Sequence, residues 1–114
     1  MLLNAVINVW VYEKAVDMRK SIDGLSIIVA SNMQKNPTQE GEIFLFYNRA
    51  LDKVKTLYWD KNGFCLWYKR LEKGRFNIPK EIKVISYDQL RWLIDGLDIS
   101  KLKGNCKLSY NKFY

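Results

Sequence analysis

Residues 43–71 read IFLFYNRALDKVKTLYWDKNGFCLWYKRL and contain three apolar segments separated by turn residues. The first, at residues 43–47, is an unbroken apolar run, which is typical of a central strand covered on both faces. The other two, at residues 54–59 and 64–71, flank the sequence DKNG, in which Asn-Gly favours a hairpin because it tolerates the positive φ of a tight turn. A hairpin loop of two residues and one of four both remain open. The short connections predict an antiparallel three-stranded meander.

The segments on either side of this stretch predict one more strand and two helices. Residues 6–12 are β-branched and aromatic, which indicates an N-terminal strand. Asp17 is the predicted N-cap of a first helix, whose apolar face follows at helical spacing in Ile22, Leu25, Ile28, Val29 and Met33. Ser86 and Gln89 predict a capping box at the start of a second helix, and Gly96 is positioned to end it. The expected class is α+β: an antiparallel sheet of about four strands (the N-terminal strand plus the meander) with two helices.

Length and composition favour one ordinary globular domain. The chain has 114 residues, of which 48% are hydrophobic, and we expect a single domain at residues 1–98 with a basic C-terminal tail at residues 99–114. No apolar run approaches the roughly 20 residues of a membrane span, and the start does not resemble a secretory signal, so a cytoplasmic protein is expected. Cys65 and Cys106 are expected to be free thiols, because the chain has no CxxC pair and no histidine to complete a zinc site.

The positive charge is concentrated in the aromatic middle of the chain. The formal net charge is +7, and residues 41–85 hold ten basic and five acidic groups, whereas residues 1–40 are balanced at four each. Basic charge interleaved with aromatic residues is typical of a nucleic-acid surface, although a solvated lysine face has the same composition. The densest run is KRLEKGRF at residues 69–76. Its arginines suit phosphate, because the planar guanidinium donates two parallel hydrogen bonds. Alternatively, Arg70 or Arg75 forms an ion pair with Asp17, Asp23 or Glu72.

Catalytic patterns are sparse. Histidine is absent, and neither GxxxxGK[ST] nor GxGxxG occurs. A metal-dependent nuclease would have to use Asp17, Asp23 and Asp60, but each has a local structural alternative, such as helix cap for Asp17 and turn residue for Asp60. We therefore expect no enzyme, no catalytic residues, no cofactor and no metal.

The order and spacing of several motifs resemble the small accessory proteins of the sixty-six family of bacterial insertion sequences, encoded beside the transposase as a second reading frame. The matching motifs are VDMRK at 16–20, IDGL at 22–25, FLF at 44–46, NR at 48–49, VKTLYWD at 54–60, NGFCL at 62–66, KRLEKGRF at 69–76, QL at 89–90 and DGLD at 95–98. The resemblance spans residues 9–98. Ala15 and Ile78 depart from it, since many members have proline and tryptophan there. It implies a transposition accessory that acts with a separate transposase and has no assigned catalytic residues.

Charge and resemblance together predict a non-enzymatic accessory protein that binds DNA, the transposase, or both. The predicted phosphate contacts are Arg49, Lys55, Lys69, Arg70, Lys73 and Arg75. Arg19 is equally well explained as a packing residue. The alternative is a protein-interaction module without DNA contact, which would expose one of Trp10, Trp59, Trp67 and Trp92 as an anchor, whereas these tryptophans otherwise belong to the core. Neither a membrane nor a small-molecule substrate is expected as a partner.

Overall fold

The computed structural model describes residues 5–101, which form five strands, two α-helices and one short 3₁₀ helix. In chain order these are β1 (Asn8–Val11), α1 (Ile22–Ser31), β2 (Glu42–Tyr47), β3 (Lys53–Asp60), β4 (Gly63–Arg70), β5 (Val84–Ile85), α2 (Tyr87–Ile94) and the 3₁₀ helix (Ile99–Lys101). The strands form one sheet in the order β4-β3-β2-β1-β5. No helix within residues 5–101 is long and apolar enough to cross a bilayer.

The α+β class and the meander are confirmed, but the sheet differs from the predicted one in two respects. First, it is mixed: β2, β3 and β4 are antiparallel, whereas β1 runs parallel to β2. A parallel pair needs a long crossover, and the chain between β1 and β2 supplies it with α1. Second, a fifth strand, β5, pairs antiparallel with β1 at the edge. The sequence did not predict β5 because two residues are too few to show a strand periodicity.

The hairpin between β3 and β4 has a two-residue loop. Asp60 pairs with Gly63, which leaves only Lys61 and Asn62 between the strands. The positive φ lies at Lys61, at 56°, and not at the Asn-Gly pair to which the sequence pointed. The turn is therefore correctly located by sequence, but the residue that adopts the unusual conformation is different.

Each face of the sheet packs against one helix. On one face, Leu25 and Val29 of α1 are buried with Phe44, Phe46 and Leu57. On the other face, α2 contributes the buried side chains of Leu90, Leu93 and Ile94 against β1, β2 and β3. A fully buried apolar side chain of this size contributes about 1.5 to 3 kcal/mol relative to its exposed state, so these two layers hold both helices on the sheet.

The predicted start is correct for α2 and wrong for α1. The capping box of α2 is confirmed: Gln89 N donates to Ser86 Oγ at 3.1 Å, and Ser86 N donates to Gln89 Oε1 at 2.8 Å. The predicted N-cap of α1 is wrong, because the cap is Ser21, whereas the Asp17 carboxylate accepts a hydrogen bond from Arg19 N at 2.9 Å in the preceding turn.

The C-terminal end of the described chain contributes to the core. Ile99 is fully buried against the α2 side of the sheet. The rest of the predicted basic tail, from residue 102 onward and including Cys106, lies outside the described residues. Cys65 lies half-buried on β4 as a free thiol.

Candidate nucleic-acid interface

Two loops meet at one end of the sheet, where β2 and β4 end and β3 begins. The turn between β2 and β3 accepts hydrogen bonds from the chain that follows β4: Leu71 N donates to Asp52 O at 2.8 Å, and Phe76 N donates to Leu51 O at 2.7 Å. The side chain of Phe76 is 1% exposed and belongs to the core on the α2 side. We call this surface, residues 48–53 and 70–76, the basic end.

Asn48 folds the first of these loops. Its Oδ1 accepts hydrogen bonds from Asp52 N at 3.1 Å and from Lys53 N at 3.0 Å, and its Nδ2 donates to Asp52 Oδ1 at 2.7 Å. The bond from the Asn48 amide, followed by the nearby Lys53 ammonium, lowers the pKa of Asp52. An ordered turn of this kind gives the neighbouring Arg49 a fixed backbone.

The basic end carries five cations and two carboxylates, namely Arg49, Lys53, Arg70, Lys73 and Arg75 with Asp52 and Glu72. Arg70 pairs with Glu72 at 3.1 Å, and Lys53 with Asp52 at 3.4 Å, both near the surface. Within residues 5–101, Arg49, Lys73 and Arg75 are exposed and have no carboxylate within ion-pair distance. The three cations are thus available to an outside anion.

Two of the predicted phosphate contacts have their amino groups engaged within the fold. Lys55 is 9% exposed, and its Nζ donates to the carbonyls of Met18 and Lys20, both at 2.8 Å, which ties the segment before α1 to the sheet. Lys69 Nζ donates to Ile94 O at 3.0 Å at the C-terminus of α2, where a positive charge is favourable. Their contacts with DNA stay predictions, and both lysines have a structural task that the sequence did not indicate.

The carboxylates considered for a nuclease have separate local surroundings. Asp17 pairs with Arg19 at 2.7 Å, and the hydrogen bonds from Arg19 lower the pKa of Asp17 from 3.8 to about 2. Asp23 lies in the first turn of α1, and Asp60 lies at the far end of β3 in the hairpin. Across residues 5–101, no group of three or more His, Cys, Asp or Glu side chains could hold a metal ion. Arg19, for which the sequence left a packing role and a functional role open, extends its side chain into solvent.

None of the four tryptophans is an exposed anchor; each is half-buried. The indole of Trp10 donates to Glu42 Oε1 at 2.6 Å and lies under the Lys35 ammonium at 3.7 Å, and Trp59 packs edge-on against Phe64.

The site residues predicted from the sequence did not include Lys53, which lies in the basic end, or Tyr68, which lies beside it. The sequence did contain a signal for Tyr68. Side chains alternate between the two faces of a strand, so Tyr68, two positions before Arg70, lies on the same face as that predicted phosphate contact.

These features define a small basic α+β protein with three exposed, carboxylate-free cations on two joined loops at one end of a mixed sheet. A family model described as IS66 Orf2 like protein matches residues 7–104. The chain therefore belongs to the IS66 Orf2 like family, which confirms the resemblance found in its motifs.

Two relatives come from Sinorhizobium fredii, and both bear the name of uncharacterized protein. One, y4hO, is 34% identical over 95 residues, covering 81% of this chain and 82% of its own length. The other, y4jC, is 32% identical over 100 residues, covering 85% of each. No solved structure matches the chain. Membership of the family thus links this chain to insertion sequences, and the mechanism has to be inferred from the surface of the molecule.

Proposed function

We propose that this protein is a non-enzymatic accessory of insertion-sequence transposition that binds DNA in the cytoplasm, alongside the transposase, through the basic end. The observation that supports this is the exposure of Arg49, Lys73 and Arg75, without carboxylate partners among the described residues, on two loops that are hydrogen-bonded to each other. Because the backbones of the two loops are already held together, binding to a phosphate backbone costs the rotamer freedom of these side chains but no ordering of the loops.

Binding of this kind is electrostatic and does not read bases. Each phosphate contact with duplex DNA contributes about 0.9 to the slope of log affinity against log salt concentration. Phosphate contacts position a protein but carry no sequence information, so transposon-end DNA and scrambled DNA are expected to bind with similar affinity. A preference for transposon ends in the cell would then come from the transposase.

The test compares two double variants that remove the same charge from different places. Lys73→Gln/Arg75→Gln changes the basic end, and Lys61→Gln/Arg91→Gln removes one lysine and one arginine from exposed positions elsewhere. The first is expected to weaken duplex binding at least about tenfold at moderate salt and to lower the salt slope by about 2. Adding Arg49→Gln is expected to lower the slope by about 1 more.

The control variant is expected to bind nearly as the unchanged protein does. Equal losses in both double variants would mean that net charge, and not the basic end, governs binding. Absence of binding by the unchanged protein at low salt would reject DNA as the partner, and co-purification with the transposase would then favour the protein-interaction module.

A further inference from the structure

Tyr68 is the exposed large aromatic side chain of the described chain. It is 48% exposed, whereas the other aromatic residues between positions 5 and 101 are buried or half-buried. Its neighbours on the same face of β4, Phe64 and Leu66, pack against the α1 layer, which does not include Tyr68. The ring therefore lies beyond the region that α1 covers, on an open part of the sheet face.

The surroundings of this ring are cationic. In the register of β3 and β4, Tyr68 lies opposite Lys55, and Arg70 lies opposite Lys53, so all four side chains share one face. The Lys55 ammonium, held by its two carbonyl acceptors, is 5.4 Å from the centre of the Tyr68 ring. Arg70 leads directly into the loop with Lys73 and Arg75. The aromatic ring is thus continuous with the basic end.

We propose that Tyr68 is a stacking site for an unpaired DNA base, with the basic end holding the adjoining phosphates; this inference rests on the proposed function. An aromatic ring beside a positively charged surface is the arrangement with which proteins bind single strands, because every base has a flat face and stacking tolerates any sequence. In a duplex the bases are already stacked on each other, so the ring has nothing to add there.

The charges around Tyr68 favour a nucleic-acid ligand over an apolar protein surface. A protein partner that covered the ring would also remove water from the neighbouring Lys53, and lysine is depleted at protein interfaces. A single strand instead supplies a phosphate for each base that it offers. The exposed ring and the neighbouring cations are then used by the same ligand.

The experiment measures binding of the full chain to a fluorescent oligothymidylate of about 20 nucleotides and to a duplex of the same length, each over a range of salt. Tyr68→Leu and Tyr68→Thr remove the ring, and threonine retains a high strand propensity. Both are expected to weaken single-strand binding roughly tenfold, to leave duplex binding unchanged and to leave the salt slope unchanged, because stacking releases no counterions. Tyr68→Phe is expected to bind as the unchanged protein does.

Ile27→Ala is the matched control, because Ile27 is an exposed apolar residue on α1. Single-strand binding that survives both ring-removing variants would overturn the inference. An equal loss on duplex and single strand would also overturn it, since Tyr68 would then act through the fold. If the unchanged protein bound the duplex but not oligothymidylate, only this inference would fail, whereas absence of binding to either DNA would reject the proposed function as well.

Discussion

The two ends of the sheet carry opposite charge. The basic end has five cations and two carboxylates. The opposite end, where the β3–β4 hairpin turns and β2 begins, has one cation and three carboxylates, namely Lys61 with Glu40, Glu42 and Asp60. We call this second region, residues 40–42 and 60–63, the hairpin end. Of these two segments, only the basic end is expected to attract DNA.

The two ends also differ in what holds them. The hairpin end closes with a two-residue loop, in which the Trp59 indole donates to Lys61 O at 3.2 Å. The basic end consists of longer loops, and buried or half-buried groups fix them: Phe76 in the core and Asn48 inside the turn. Lys55, next to this end, ties the segment before α1 to the sheet. The comparison indicates that the positions of exposed cations on long loops depend on buried anchoring groups. Equivalent substitutions at the two ends should therefore change the free energy of unfolding by unequal amounts.

The largest difference in the free energy of unfolding is expected between the alanine variants of two phenylalanines. Phe76→Ala leaves a cavity where a fully buried ring anchored the basic end, and is expected to lower the free energy of unfolding by about 3 to 5 kcal/mol. Phe64→Ala, next to the hairpin end, removes a half-buried ring that packs on Trp59, with an expected loss of about 1 kcal/mol. Urea unfolding followed by circular dichroism measures both, and equal losses would contradict the comparison.

The next difference concerns two lysines. Lys55→Met retains the aliphatic stem but leaves the carbonyls of Met18 and Lys20 without their shared donor, and is expected to cost about 1 to 3 kcal/mol. Lys61→Met changes an exposed side chain and is expected to stay within about 0.5 kcal/mol of the unchanged protein. Thermal unfolding compares the two. A neutral Lys55→Met would show that its amine is dispensable to the stability of the fold.

Two glycines provide a smaller contrast. Gly74 in the basic end has φ +81°, so Gly74→Ala forces an L side chain into a strained backbone and is expected to cost about 1 to 2 kcal/mol. Gly63 in the hairpin has neither a positive φ nor any atom within 4 Å of an added Cβ. Gly63→Ala is therefore expected to change the free energy of unfolding by less than about 0.5 kcal/mol. A large loss at Gly63 would restore the importance of the Asn-Gly pair.

The smallest difference is expected at two asparagines. Asn48→Ala removes the acceptor of two backbone hydrogen bonds, at an expected cost of about 1 kcal/mol, and raises the pKa of Asp52 towards its usual value. Because the folded pKa of Asp52 is lowered, its stabilising contribution is present above about pH 3.8 and is lost as the pH falls through the lowered value. Asn62→Ala, whose side chain makes no hydrogen bond within residues 5–101, is the control. Carboxyl-resolved NMR titration measures the pKa, and an unshifted Asp52 would exclude Asn48 as the cause.

Local patterns were predicted well, and features that depend on distant parts of the chain were not. The meander, the hairpin position and the Ser86 capping box each depend on residues close in sequence. The position of the first helix was also found, although its N-cap was wrong because Asp17 binds Arg19 instead. The parallel pairing of β1 and the two-residue β5 escaped prediction, since both depend on partners that are remote in the chain.

The candidate site shows the same division. The amino-acid sequence alone shows that positive charge is concentrated in residues 41–85 and that a run of cations follows a hairpin strand, because composition and alternation are properties of the chain. Which of these cations face solvent depends on the tertiary structure. The amino groups of Lys55 and Lys69 donate to carbonyls that lie 35 and 25 residues away in the chain. The ring of Tyr68 stays exposed because it lies beyond the part of the sheet face that α1 covers. No local sequence pattern specifies how distant elements pack. That packing decides which carbonyl accepts a hydrogen bond from a lysine and how much of an aromatic ring is buried.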